Sequence, residues 1–309
     1  MKSKRMILLE RAFNAMGSPC EIKLYAKTRS QAELVARRII HEIERLEARY
    51  SRYRPTSLLS EINKVAAVGG SITVDAETAG LLDYADTCYR ESEGLFDVTS
   101  GVLRHAWPFK DARLPDASLI TSLLQRVGWH RLRWTAPLLE FPDPGLELDF
   151  GGSVKEYAVD RAAALAWESQ IQHGLINLGG DIKIVGPHPD GRPWAIGIQH
   201  PRRPGQIIRT LELYRGAMAS SGDYERCIVI DDKRYGHVLN PVTGWPVAYL
   251  AAVSVVADWC VVAGSAATIA MLKEQSGPVW LAEMGLPHYW ISVKGDMGGA
   301  LGCHPFISA

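Results

Sequence analysis

The chain has 309 residues, 47% hydrophobic and 22% charged, and its 34 Lys+Arg balance 34 Asp+Glu. This is the composition of a globular protein long enough to bury a substantial core. Zero formal net charge argues against nucleic acid or an anionic membrane as partner. The five cysteines, at 20, 88, 227, 260 and 303, are odd in number and lack zinc spacing. They read as buried thiols in a reducing compartment.

The first apolar run, Met6 to Leu9, is too short for a signal peptide or a membrane span, so a cytoplasmic protein without membrane insertion is expected. Two strands are predicted over 6–13 and 20–26, joined by a turn-rich loop at 14–19. Thr28 caps a predicted helix to Ala48, with Val35, Ile39, Ile43 and Leu46 on one face. Pro55 interrupts regular structure, and Ser57 starts a short helix ending near Asn63. Asp75 caps a helix through Arg90, and Gly94 suits its end. A surface excursion over 104–118, a helix over 119–128 and a hairpin over 131–150 follow, the hairpin turning at Pro142-Asp-Pro-Gly145.

Residues 148–162 read LDFGGSVKEYAVDRA. A strand-like lead-in (Leu146, Leu148, Phe150) runs into Gly151-Gly152 and then into a helical pattern expected to reach 172. The first N–H groups of a helix lack intrahelical partners, and glycine lets a ligand approach them, so this order suits an anion. Lys155 in the first turn gains nothing from the helix dipole, which makes more sense with an anion in front of it. Taken alone, the stretch reads equally as a connection carrying a solvated lysine.

A buried strand from Leu175 enters Gly179-Gly180-Asp181, and strands are predicted over 194–199 and 207–213. Residues 218–226, MASSGDYER, are small and hydroxyl-rich, then acidic. Residues 227–230 and 235–239 form a hairpin about Asp231-Asp232, and Asn240-Pro241 with Thr243-Gly244 enforce a tight turn. A buried strand over 251–256, a helix capped by Asp258 and reaching Leu272, and a last strand over 287–294 complete the chain. Hairpins among alternating helices argue for one α+β domain over 1–309, its sheets mixed or antiparallel.

Polar, glycine-bearing loops recur around Met16, Tyr53, Asp97, Lys155, Asp181, Ser221 and His237. Few are basic, so a phosphate-bearing small molecule suits them better than nucleic acid. Tyr53, Phe96 and Tyr157 offer rings to flank a planar group. Individually, His237 reads as a turn histidine and Asp181 as a turn aspartate.

Seven stretches in order, MGSPCEIKLY, YSRYRPTSLLSEIN, GLFDVTSGVL, LDFGGSVKEYAVDRA, INLGGDI, SSGDYER and HVLNPVTG, carry a resemblance to the ApbE family of FAD:protein FMN transferases. The resemblance spans about Ala15 to Leu272 and implies a T-fold-like α+β domain. It implies FAD as substrate, split at the pyrophosphate with a divalent metal, usually Mg²⁺. FMN then passes to a Ser or Thr hydroxyl of an acceptor flavoprotein, and AMP is released. It implies catalytic roles for His237, Asp181 and Lys155, with His237 taking the hydroxyl proton. It places Met16, Ser51, Tyr53, Phe96, Asp97, Thr99, Lys155 and Tyr157 at the nucleotide, with Asp160, Gly180, Ser221, Gly222, His237 and Thr243, and puts Thr268 and Val154 at the metal.

Two departures stand out. The family's Asp-Ala-x-Ala-Thr is Gly264-Ser-Ala-Ala-Thr268 here, so the metal-binding aspartate is missing, and Asp258 lies off the Thr268 helix face. The family's lysine-glycine-tyrosine is Lys155-Glu156-Tyr157, and the Glu156 carboxylate could supply the missing charge. These departures leave two other readings open, an FAD-binding carrier or maturation factor without transfer chemistry, and an FAD pyrophosphatase.

Overall fold

In the computed structural model, residues 6–109, 113–224, 226–301 and 307–308 are described. Cys303, Glu225, residues 1–5 and the middle of the 104–118 excursion lie outside them. Strands β1 (Ile7–Ala15) and β2 (Ser18–Ala26) form a hairpin whose turn is Met16-Gly17, both at positive φ (51° and 71°). Positive φ at both central residues matches the twist of paired strands, so the turn is two residues and not the longer loop expected at 14–19.

Helix α1 (Arg29–Tyr50) starts where Thr28 Oγ1 accepts the Gln31 N–H at 3.2 Å. Ser57 caps α2 (Leu58–Val68) in the same way, and the helix runs past Asn63 because Leu59, Ile62 and Ala66 keep a buried face. After β3 (Gly70–Thr73), Asp75 caps α3 (Ala76–Glu91), and α4 (Ala117–Leu124) follows. The β4 (Arg133–Thr135) and β5 (Leu138–Phe141) hairpin turns at Ala136-Pro137, and β3 pairs with β5. The hairpin expected to turn at 142–145 is therefore displaced.

Residues 146–150 join no ladder, although Leu146, Leu148 and Phe150 are buried. The Asn63 side chain replaces a partner strand, its Nδ2 donating to the Leu148 carbonyl at 2.9 Å and its Oδ1 accepting the Leu148 N–H at 2.7 Å. Then come α5 (Val154–Glu168), shorter than expected, and β6 (His173–Leu178) turning through Gly179-Gly180 into β7 (Asp181–Gly186). Strands β8 (Trp194–Gln199) and β9 (Ile207–Leu213) fall where predicted.

The small-residue run holds a strand the sequence did not reveal, β10 (Gly216–Gly222), since Gly, Ala and Ser have little intrinsic strand preference and burial decides. A hairpin of β11 (Cys227–Ile230) and β12 (Lys233–Gly236) turns at Asp231-Asp232, both at positive φ. Strand β13 (Leu250–Ala257) leads to α6 (Cys260–Leu272) and α7 (Gly277–Glu283). The strand expected to be last, β14 (His288–Ser292), is followed by β15 (Met297–Ala300) and β16 (Ile307–Ser308).

The main sheet has the order β1-β2-β6-β7-β10-β13-β14-β15, antiparallel throughout, so the architecture is α+β. Alternating side chains divide two cores. Ile176, Ala217 and Val253 pack with Ile39 and Ile43 of α1, Ala158 and Ala162 of α5, and Ala263 and Ala267 of α6. Leu175, Ile182, Ile184, Met218 and Val256 pack with Trp194, Ile196 and Leu211 of β8 and β9. Cys20, Cys88 and Cys260 are buried free thiols, whereas Cys227 is only half-buried.

The start of α6 differs from expectation. Asp258 is exposed and caps nothing. The cap comes from α5, where Asp160 accepts the N–H groups of Cys260 and Val261 through separate oxygens, at 2.9 Å each. A cap supplied from 100 residues away leaves no local sequence mark.

Candidate active site

The sheet gathers several singled-out residues at one end. β10 is antiparallel to β7 with Met218 opposite Ile182, so Ser221 and Gly222 run on past Asp181 beside the Gly179-Gly180 turn. The Gly179 N–H donates to the Pro19 carbonyl at 2.9 Å, bringing the Met16-Gly17 turn to the same place. A Cβ on Gly179 would stand 2.7 Å from Ser18 Cβ, so the turn must be bare to pack against Ser18, and Lys155 Nζ lies within contact range at 3.7 Å. Gly180, at φ 95°, faces open space. A hollow of about 390 Å³, lined by Asn14, Ala15, Gly17, Ser18, Pro19 and Glu47, opens alongside.

Lys155 Nζ lies 2.8 Å from Asp181 Oδ2, with the carboxylate buried and the lysine part-exposed. Ser153 gives α5 no side-chain cap, which leaves the positive end of the helix beside a cation. Such a pairing of positive groups suits an anion. Next to Lys155, Glu156 points inward and is buried, and its Oε2 has no hydrogen-bond partner. Burial, reinforced by the Asp181 carboxylate, pushes its carboxyl up to about 8. The side chain occupies space left by Gly264, where a Cβ would come within 2.5 Å of Glu156 Cγ. Thr268, half-buried, sits four residues on along the same face of α6, and Val154 opens α5, buried. The nearby Cys260 thiol is pushed well up by burial, which makes it a packing group and not a nucleophile.

A second cluster lies around Gly151-Gly152. Arg52 forms an ion pair with Asp149, and its guanidinium sits 5.0 Å from the centre of the Tyr53 ring. Tyr53 is 76% exposed, so its ring is open to stacking. A Cβ on Gly152 would be 3.2 Å from Phe96 Cζ, so the Phe96 ring lies flush against that turn. Ser51 shapes the loop, its carbonyl accepting the Ser57 hydroxyl at 2.7 Å and its hydroxyl the Tyr53 N–H at 3.2 Å.

Four further residues direct their polar atoms into the scaffold. Asp97 Oδ1 accepts from the Thr99 N–H and hydroxyl, Asp97 Oδ2 accepts from the Trp129 N–H, and Thr99 Oγ1 accepts the Gly128 N–H at 2.7 Å. Tyr157 donates to Glu77 Oε1 at 3.2 Å, and burial pushes its phenol up to about 12. Asp160 caps α6 and lies 3.7 Å from the buried Lys183 ammonium.

His237 directly follows β12 and is half-buried. Gly236 abuts Asp223, with a notional Cβ only 2.8 Å from Asp223 Cβ, so His237 arrives next to the end of β10. Thr243 is exposed, in a turn organised by Asn240 and held from below by Trp107, whose indole N–H donates to the Gly244 carbonyl at 2.9 Å.

The ApbE family pattern matches residues 16–290. The chain belongs to the ApbE family. It is 32% identical over 257 residues to the FAD:protein FMN transferase of Chlamydia pneumoniae, covering 80% of this chain and 78% of that protein. Its fold is similar to the ApbE protein of Thermotoga maritima, with a TM-score of 0.86, 27% identity, and 95% and 97% of the two chains covered. Flavin transferase ApbE from Vibrio cholerae aligns with a TM-score of 0.87 at 25% identity, over 98% of this chain and 100% of that one.

A divalent cation fits this ApbE chain on two observations: Glu156 Oε2 is buried without a partner, and Gly264 provides the cradle for that side chain. Among the described residues no three His, Cys, Asp or Glu side chains group as a metal cage. Mg²⁺ does not demand one, since it retains waters and takes one or two carboxylates together with substrate phosphates. The sequence offered Glu156 as a source of the charge missing at Gly264, but it carries no sign that the two residues touch. The Arg52–Asp149 pair had no signal, because 97 residues separate its members.

Proposed function

We propose that this chain is an FAD:protein FMN transferase that splits FAD between its phosphates, joins FMN to a Ser or Thr hydroxyl of an acceptor flavoprotein, and releases AMP. The observation that carries the reading is the Lys155 ammonium, held 2.8 Å from Asp181 at the uncapped start of α5 and beside the Gly179-Gly180 turn. Phosphoryl transfer is mainly positioning and charge neutralisation, and this arrangement presents fixed positive charge to a diphosphate. Asp181 aims the lysine, and the exposed Tyr53 ring and the Met16 turn offer contact to the planar parts of FAD. His237, beside the end of β10, takes the proton from the acceptor hydroxyl.

Thr268, Glu156 and Val154 are the residues at hand for Mg²⁺, which when bound offsets charge on the diphosphate. No helix among the described residues is long and apolar enough to cross a membrane. A cytoplasmic setting and one domain over 1–309 belong to the proposal.

The test is incubation with FAD, Mg²⁺ and a candidate acceptor, followed by intact-mass and peptide analysis. One FMN phosphoester per acceptor and one AMP are expected, and both should vanish in Lys155→Met and His237→Ala. AMP and free FMN appearing at the same rate without acceptor would replace transfer with hydrolysis. Tight FAD binding with neither product would leave only the carrier reading.

A further inference from the structure

Glu156 has no evident place in the stability of the fold. An acid buried in the first turn of a helix, with one oxygen unbonded, is unfavourable unless something compensates it. Lys155, its chain neighbour, is directed at Asp181. Gly264 is equally unfavourable on its own, since a buried glycine inside a helix lies roughly 1 kcal/mol above alanine. The two anomalies explain each other geometrically. A Cβ at position 264 would fall 2.5 Å from Glu156 Cγ and 3.0 Å from Cδ and Oε1, so any side chain there excludes the glutamate. The bare stretch of α6 therefore admits a carboxylate from α5 to the helix face that carries Thr268 one turn later. Asp181 lies close enough to share a hydrogen bond with that carboxyl, so two acids converge beside the single Lys155 ammonium.

We propose that Glu156 on α5 is the anionic oxygen ligand of the divalent cation in this chain, reaching across the bare Gly264 toward the Thr268 hydroxyl. The inference rests on the transferase reading for the identity of the cation as Mg²⁺. A hard cation rewards anionic oxygen, and a carboxylate arriving from the neighbouring helix meets that need. Space filling alone predicts something different, because glutamine would fill the same volume equally well.

The test titrates Mn²⁺ into the full chain, with and without FAD, and follows free Mn²⁺ by electron paramagnetic resonance, while circular dichroism records melting temperature. Glu156→Gln should weaken Mn²⁺ binding by at least ~10-fold while folding normally. Gly264→Asp alone should lower the melting temperature, because its Cβ meets Glu156 Cγ. The exchange Glu156→Gly with Gly264→Asp should restore both melting temperature and Mn²⁺ affinity. Equal Mn²⁺ affinity in wild type and Glu156→Gln overturns the proposal, as does a double variant that binds no better than Glu156→Gly alone. The flavin-free titration decides the carboxylate by itself, whereas FAD binding and AMP release by the wild type bear separately on the transferase reading.

Discussion

Asp160→Ala probes the link between the two helices that flank the candidate site. Asp160 accepts two buried N–H groups at the start of α6, at 2.9 Å each. Removing the carboxylate leaves both donors unsatisfied, at roughly 1–3 kcal/mol each. The losses overlap with a helix cap worth about 0.5–2 kcal/mol, so a total of about 2–4 kcal/mol is expected. Lys183 adds to it. Its side chain is 4% exposed with the ammonium 3.7 Å from Asp160, and burial already lowers its pKa. Without the carboxylate it still donates to the Asp258 carbonyl and faces the Trp259 ring at 4.5 Å, but it loses its counter-charge. Urea denaturation at pH 7, followed by circular dichroism, gives the number. Asp160→Asn keeps one acceptor and should lose about half as much. Asp160→Ala with Lys183→Met should lose less than the sum of the single variants, because the second change removes the stranded charge. A loss below ~0.5 kcal/mol for Asp160→Ala would refute the capping argument.

Asn63→Leu removes both bonds to the Leu148 backbone and should destabilise by about 1–3 kcal/mol, with faster amide exchange at Leu148 as the local sign. Lys155→Met should raise the dissociation constant for FAD at least ~10-fold and flatten its dependence on salt, read by flavin fluorescence; unchanged affinity would remove Lys155 from the anion seat. For pH, Glu156 is pushed up to about 8 by burial, whereas an unfolded chain holds it near ~4.3. The folded state then keeps a proton that the unfolded state has lost, so metal-free stability falls as pH rises through that window. Melting temperatures of wild type minus Glu156→Gln should show this slope, and added Mg²⁺ should reduce it at the alkaline end. A difference that is flat with pH would contradict the buried acid.

Much of the fold follows from local rules. Thr28, Ser57 and Asp75 cap their helices because hydroxyl or carboxylate before an apolar period is a local signal. The turn at Asp231-Asp232 works likewise, as aspartate tolerates left-handed backbone. β10 was hidden because Ala and Ser become a strand only when neighbours bury them. The Asn63 clasp and the Asp160 cap join residues far apart in the chain, so no local pattern announces them. In the site, Lys155 and Asp181 were legible because each adjoins a glycine pair. Asp97, Thr99 and Tyr157 lie in stretches that carry the family resemblance, but the sequence could not show that their polar atoms face inward.

Small side chains on β10 and on the buried face of α6 have a consequence for how such a protein can change. Ala217 and Ala219 share a core with Ala263, Ala267 and Ala270 where α6 packs on β10, so only small side chains lie on these faces of helix and strand. Enlarging any of these residues would wedge the layers apart, which closes most routes by which new chemistry could enter from that side. The exception is the buried contact where bare Gly264 faces Glu156 and leaves room for a side chain. A functional group can change its point of attachment there, from one helix to its neighbour, while its destination stays put.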